Sequence, residues 1–327
     1  MTVRFYSSLD TGAPVLSGTR LIDQVKLVLM ACLVNGYGSK SAAGWTVGHE
    51  HADGFSLSNG EGFVNFVHQS TGTYAVYIME SITDGSSALA GGYNRRSGPW
   101  YDGSSATARQ YIYATPFVSG SNPHWSVVAD GKTAILLLGA SLTSADAISG
   151  ASAASHYFGR YLNASGLGGF CSLGGGSGTT TSSKFFSDGA GMALRHPLTG
   201  VVEQGVGASY HAGAGAFGGL TTTSTRAATV LDRVQSARAP LLCYGPGVSG
   251  GTSASSAIYG GLLRGVVFEP YLCSGRPSEV FPALGSANTW QARVTLIPLS
   301  GGREWSPFYG IVSEPGGFVS LDPADWG

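Results

Sequence analysis

Charge is what this chain has least of. Only 11% of its 327 residues are Asp, Glu, Lys or Arg, far below the roughly 25% of soluble domains. The 18 basic and 19 acidic residues leave a net charge of −1. Such a chain has no basic tract to neutralise a phosphate backbone, which argues against nucleic-acid binding. Long apolar runs are missing too. The longest candidate, Leu21 to Val34, is interrupted by Asp23, Gln24 and Lys26, and it falls short of the ~18 residues of a membrane-spanning helix. Cysteine is scarce. Cys32, Cys171, Cys243 and Cys273 lie far apart with no C-x-x-C pair, so free buried thiols are expected rather than a zinc site. No basic-then-apolar leader opens the chain, because Met1-Thr2-Val3-Arg4 runs straight into a strand-like segment. The expectation is a protein made in a cytoplasm and not exported by the usual signals.

Glycine and apolar residues fill the space that charge leaves, with 51 glycines and 43% hydrophobic side chains. That supplies a sizeable core and leaves the surface to Ser, Thr, Gly and Asn, or to neighbouring subunits. Charge depletion marks the cores of interfaces, so a subunit of an assembly is preferred over a monomer with many polar loops.

Hydrophobic periodicity divides the chain into a small α+β unit at 1–105 and a larger loop-rich antiparallel β unit at 106–327, mainly β overall. In the first, Leu21, Ile22, Val25, Val28, Leu29, Cys32 and Leu33 recur at helical spacing. Arg20, Asp23, Gln24 and Lys26 take the opposite face, and Leu27 and Met30 widen the apolar stripe into a helix buried on most sides. Asn35-Gly36 is its stop signal. Gly62–His68 and Thr73–Ile82 read as strands joined by a Ser70-Thr71-Gly72 hairpin, with the helix covering one face of the sheet. Residues 85–108 read as a linker. In the second unit, Trp125–Val128, Ala129-Asp130-Gly131-Lys132 and Thr133–Leu138 form the strongest hairpin signal, with Asp-Gly expected to supply the φ > 0 positions of a tight primed turn. His156–Leu162 reads as the next strand and Gly166–Ser183 as a long loop. Strands are expected within Met192–Glu203, Arg226–Tyr244, Leu262–Cys273, Thr289–Leu299 and Arg303–Val312, with a turn at 298–302.

Candidate chemistry is thin. His49-Glu50-His51 would place two imidazoles on one face of an extended segment. With His68 or Asp53 they would bind Zn²⁺ or a similar ion; a solvated polar loop is preferred. Trp100, Tyr101 and Asp102 combine ring faces with a carboxylate, as a glycan-binding loop would, although a loop anchored by its aromatics is preferred. Gly213–Gly218 fits G-x-G-x-x-G without a βαβ context. Gly131-Lys132-Thr133 lacks the earlier glycine of a phosphate loop, since Ser126 stands there. Gly247–Gly251 fits G-x-S-x-G but runs into Thr252-Ser253-Ala254-Ser255-Ser256, a poor helix start for a nucleophile elbow. No catalytic residue and no cofactor are assigned.

The first 46 residues carry the most specific signal: Val3-Arg4-Phe5-Tyr6-Ser7-Ser8-Leu9-Asp10, Ala13-Pro14-Val15-Leu16, the apolar helix, then Asn35-Gly36-Tyr37-Gly38-Ser39-Lys40 through Gly44-Trp45-Thr46. This segment resembles the amino terminus of an uncharacterised family of virion proteins from tailed bacteriophages and prophages. Later segments resemble it in order and character: Val127–Thr133, His156–Tyr161, Gly275-Arg276-Pro277 and the closing Asp325-Trp326. His49–Asp53 departs from the family's usual lysine- and glycine-rich stretch. The resemblance implies a virion structural protein, not an enzyme, held in a symmetric homo-oligomer with other virion structural proteins at the tail tip or baseplate. The rivals are a head decoration or cement protein, and a receptor-binding module for host surface glycans.

Overall fold

The computed structural model describes residues 2–16, 18–79, 110–113, 124–139, 154–163, 168–174, 192–194, 211–212, 237–244, 257–268, 296–298, 317–321 and 323–327. Among these residues sixteen strands stand against one α-helix of nine residues, so the class is mainly β, and every strand pairing among them is antiparallel.

Strand β1 (Arg4–Ser7) precedes helix α1 (Leu21–Leu29), which continues as a π-helical turn over Met30–Asn35. Then come β2 (Thr46–His51), β3 (Gly54–Ser58), β4 (Phe63–Ser70), β5 (Thr73–Met79) and β6 (Gln110–Tyr113). Next are β7 (His124–Ala129), β8 (Thr133–Gly139), β9 (Ala154–Asn163), β10 (Gly168–Leu173) and β11 (Met192–Leu194). The chain continues with β12 (His211–Ala212), β13 (Ala237–Tyr244), β14 (Ala257–Phe268), β15 (Leu296–Pro298) and β16 (Gly317–Ser320). Strands β2 to β6 form a five-stranded meander in chain order, and the other eleven form a second sheet whose main path runs β1-β7-β8-β9-β14-β13-β12.

The helix forms where the 3.6-residue pattern put it. Leu21, Ile22, Val25, Val28 and Leu29 are buried, and Cys32 and Leu33 extend the buried face through the π-turn. Its first donor is met from outside: the Leu21 N–H donates to the Thr71 carbonyl of the β4–β5 turn at 2.8 Å, because Arg20 offers no side-chain cap. Gly36 ends it at φ +78°, and a Cβ there would stand 2.6 Å from the Lys40 carbonyl oxygen. The returning chain then donates the amides of Ala43, Gly44 and Trp45 to the Cys32 and Leu33 carbonyls, each at 3.0 Å.

Two helix expectations need correction. Gln24 is buried rather than solvated, because its Nε2 reaches the Gly18 carbonyl at 2.9 Å. Leu27 is 40% exposed, so the helix keeps an open face instead of being buried on most sides.

The β4–β5 and β7–β8 hairpins form as expected, but the second turn works differently. Gly131 does not take a positive φ. The Asp130 carboxylate makes the turn instead, accepting from the Lys132 and Thr133 amides at 2.8 Å each. Gly168–Leu173, read as part of a loop, is a strand paired with β9. Its small residues weaken the apolar signal while still fitting a ladder. The division at residue 105 does not follow sheet membership: β1 joins the larger sheet through β7, and β6 joins the smaller one through β5. The expected linker at 85–108, the turn beyond Pro298 and the strand at Arg303–Val312 lie outside the described residues.

The two sheets pack face to face around one core. Phe55, Leu57, Val64, Phe66, Tyr74 and Val76 of the small sheet share a buried cluster with Trp125, Val127, Leu136, Leu138 and Phe158 of the large one. Period-two alternation selects these residues from each strand. Phe66 stands edge-on to Phe158 at 5.5 Å between ring centroids. Buried side chains of α1 join the same cluster.

Candidate functional site

The three candidate metal ligands stand on two strands. His49 and His51 lie on β2, and His68 lies on β4. A bulge interrupts β2: Val47 opposes Leu57 and Glu50 opposes Phe55, leaving Gly48 and His49 together against Ser56. The His49 N–H donates to Ser56 Oγ at 2.7 Å. His68 opposes Tyr74 on β5 and donates its amide to the Asp53 carbonyl at 2.7 Å. The acids beside these histidines face cations, Arg20 at the N-cap of the helix and Lys26 in its last turn. Glu50 pairs with Lys26 at 3.3 Å and Asp53 with Arg20 at 3.1 Å. Among the described residues, no group of three His, Cys, Asp or Glu side chains is placed to hold a metal ion.

Trp100, Tyr101 and Asp102, the G-x-G-x-x-G segment and the G-x-S-x-G segment lie outside the described residues. Gly131-Lys132-Thr133 lies inside them and serves the fold. Lys132 Nζ pairs with Glu61 at 3.2 Å and donates to the Asn59 carbonyl at 3.3 Å.

That β7–β8 turn is a dense polar junction. Asp130 is fully buried and pairs with Arg264 of β14, Nη2 to Oδ2 at 2.6 Å. The same guanidinium donates through Nη1 to Thr133 Oγ1 and through Nε to the Trp326 carbonyl, each at 2.5 Å. The Asp130 carbonyl accepts from Trp45 Nε1 at 2.9 Å, and the Lys132 carbonyl accepts from Asn59 Nδ2 at 2.6 Å and the Arg160 N–H at 2.9 Å. Gly159, at φ +114°, lets the Lys132 carbonyl come that close, since a Cβ would collide with its oxygen. Burying two charges is expensive, and only paired, hydrogen-bonded geometry offsets it. Sequence reading singled out this turn as a hairpin but missed its partner. The signal was there: Arg264 is the lone charge in the apolar run Leu262–Phe268.

A second buried cluster joins the two sheets. His156 Nδ1 meets Tyr74 Oη at 3.3 Å and His156 Nε2 meets Ser172 Oγ at 2.7 Å. Burial holds the imidazole down at about 3 and pushes the Tyr74 phenol up. The cluster is therefore neutral at ordinary pH. A serine hydrogen-bonded to histidine has the outline of a nucleophile and its base. Here Ser172 is 0% and His156 1% exposed, so no substrate carbonyl can approach, and the ring has lost its basicity. Its work is to tie β5 to β9 and β10.

The first 46 residues converge on β1. Ser8 donates its N–H to the Trp125 carbonyl at 3.0 Å, so in this ladder Tyr6 and Arg4 bond to β7 while Phe5 and Ser7 turn their main-chain groups away from it. Asp10 Oδ2 accepts from the Ser7 N–H at 2.9 Å and from Tyr37 Oη at 2.7 Å. The Asp10 N–H donates to the Ser7 carbonyl at 3.0 Å, and Lys40 Nζ donates to the Phe5 carbonyl at 3.0 Å. Tyr6 is buried and donates its hydroxyl to the Ser41 carbonyl at 2.7 Å. Burial first, then the Asp10 hydrogen bond, pushes the Tyr37 phenol up, so it stays a donor. Cys32 and Cys171 are buried thiols. Among the described residues no helix is long and apolar enough to cross a membrane. No protein-family model and no curated protein matches this chain.

Proposed function

We propose that this chain is a structural subunit of a tailed-bacteriophage virion, working by binding rather than by chemistry, with the tail tip or baseplate as its place. One observation carries the reading. The segment that resembles the phage family, residues 1–46, directs several of its side chains to scaffold contacts: Tyr6, Leu21, Val25 and Trp45 to the shared core, and Asp10, Tyr37 and Lys40 to β1. A motif built this way specifies a frame rather than a reaction. The charge-poor composition supports partners met through broad apolar and neutral polar contact, arranged in closed symmetry as subunits of one kind usually are.

Cryo-electron microscopy of the intact particle tests it. Density for this chain in a ring at the tail end is the expected result. Density across the capsid lattice would keep the structural role and make it a head decoration or cement protein. Absence from the particle would overturn both. In that case binding of host polysaccharide by the purified protein, lost on replacing Trp100 and Tyr101, would favour a receptor-binding module.

A further inference from the structure

Among the described residues the larger sheet ends at β1. An end strand offers alternate N–H and C=O groups to any extended chain that meets it, which is the usual route to edge-to-edge association. In β1 the groups a new strand would need are those of Phe5 and Ser7, the residues turned away from β7. The Phe5 carbonyl is held by Lys40, and both the Ser7 amide and the Ser7 carbonyl are held by Asp10. Lys40 is fixed in turn by Asp10 at 3.4 Å and lies 6.0 Å above the Phe5 ring.

We propose that the Tyr37–Lys40 turn, together with Asp10, is an edge guard that denies the outer edge of β1 to an extended segment of a second copy of this chain. The turn is closed on itself, with Tyr37 and Lys40 exchanging main-chain hydrogen bonds at 3.0 and 2.8 Å. It is also seated against the loop that leaves β1. Gly38, at φ +52°, approaches so near Thr11 that a Cβ would collide with the Thr11 carbonyl oxygen, and Gly12 packs back on Gly38. Side chains and a tight turn thus occupy the line along which a strand would add. The danger being guarded against is local. Leu9 and Val15, in the loop that leaves β1, are 69% and 85% exposed, so an open edge here would stand beside bare apolar surface. Another copy brings extended segments of its own, including the end strands β2 and β6 of its smaller sheet. The inference is independent of the virion reading, because it concerns which edge copies must not use, whatever they assemble into.

The test is sedimentation of the full chain and of the Asp10→Ala, Lys40→Ala double variant across a concentration range, with amide exchange at Ser7 followed in both. The expected result is faster Ser7 exchange and a sedimenting mass that climbs with concentration to at least double that of the wild type. Lys40→Arg, which keeps a donor for the Phe5 carbonyl, is expected to stay at the wild-type mass. A double variant that melts cooperatively, exchanges Ser7 faster and still keeps the wild-type mass overturns the proposal. Should the double variant not fold, Lys40→Met asks the same question, since it keeps the alkyl stem and removes the donor. It is expected to self-associate, and a wild-type mass for it overturns the proposal equally.

Discussion

Asp130 and Arg264 show how a single polar pair can govern a β protein. Each is buried and each answers the other, so removing one leaves a bare charge in the interior. Asp130→Ala or Arg264→Leu is therefore expected to cost about 3–5 kcal/mol, read as a lowered denaturant midpoint at unchanged slope. A much smaller loss would mean that water reaches the pair. His156 gives a second prediction, with its sign set by burial. Its folded value is about 3 against an ordinary 6.5, so the unfolded chain takes up the proton first. The stability contributed by the neutral ring is complete above about pH 6.5 and is lost as pH falls toward 3, on the order of 1 kcal/mol per pH unit. Stability measured against pH should show this slope, and His156→Phe should flatten it between those limits. A wild-type curve that is flat from pH 6 to 4 would show that the ring is solvated.

Among the elements, the helix was the most legible. Its seven apolar core positions followed from spacing and its stop from Asn35-Gly36. The π-turn over Met30–Asn35 did not, because the same apolar spacing fits an α-helix as well. What selects it lies in the return of the chain, where Ala43, Gly44 and Trp45 supply donors to the helix end. Gly36 is the hinge of that return. Gly36→Ala is expected to destabilise by more than the roughly 1 kcal/mol of an ordinary left-handed glycine, since the new methyl meets the Lys40 carbonyl as well; thermal melting reads the difference. The β2 bulge and the β10 strand were illegible for related reasons. A bulge is decided by the partner strand, here by Ser56 bonding to the His49 amide. Gly168–Leu173 becomes a strand because β9 offers it a free edge. The metal reading of His49 and His51 rested on alternation within an extended segment, and the bulge falls at its start, at Gly48 and His49.

For the molecule as a whole, the decisive fact is that the amino-terminal segment does not close on itself. β1 pairs with β7, Trp45 donates to Asp130, and Tyr74 meets His156. Residues 1–105 expressed alone are accordingly expected to remain unfolded, and a dispersed amide spectrum with a cooperative melt from that fragment would falsify the interlocked architecture. The sequence by itself determined the class: few charges, abundant glycine and period-two apolar runs can bury a core only as sheets, with one helix where the period changes to 3.6. It also determined the β4–β5 and β7–β8 hairpins, because a turn and its two strands are neighbours in the chain. Only the tertiary structure decided which strands meet across long separations, that Arg264 answers Asp130, that Ser172 and Tyr74 hold His156, and that the first strand lies at the edge of the far sheet. Local preference reaches only a few residues along the chain. Pairing and burial are set by the sum of contacts that one compact arrangement satisfies together.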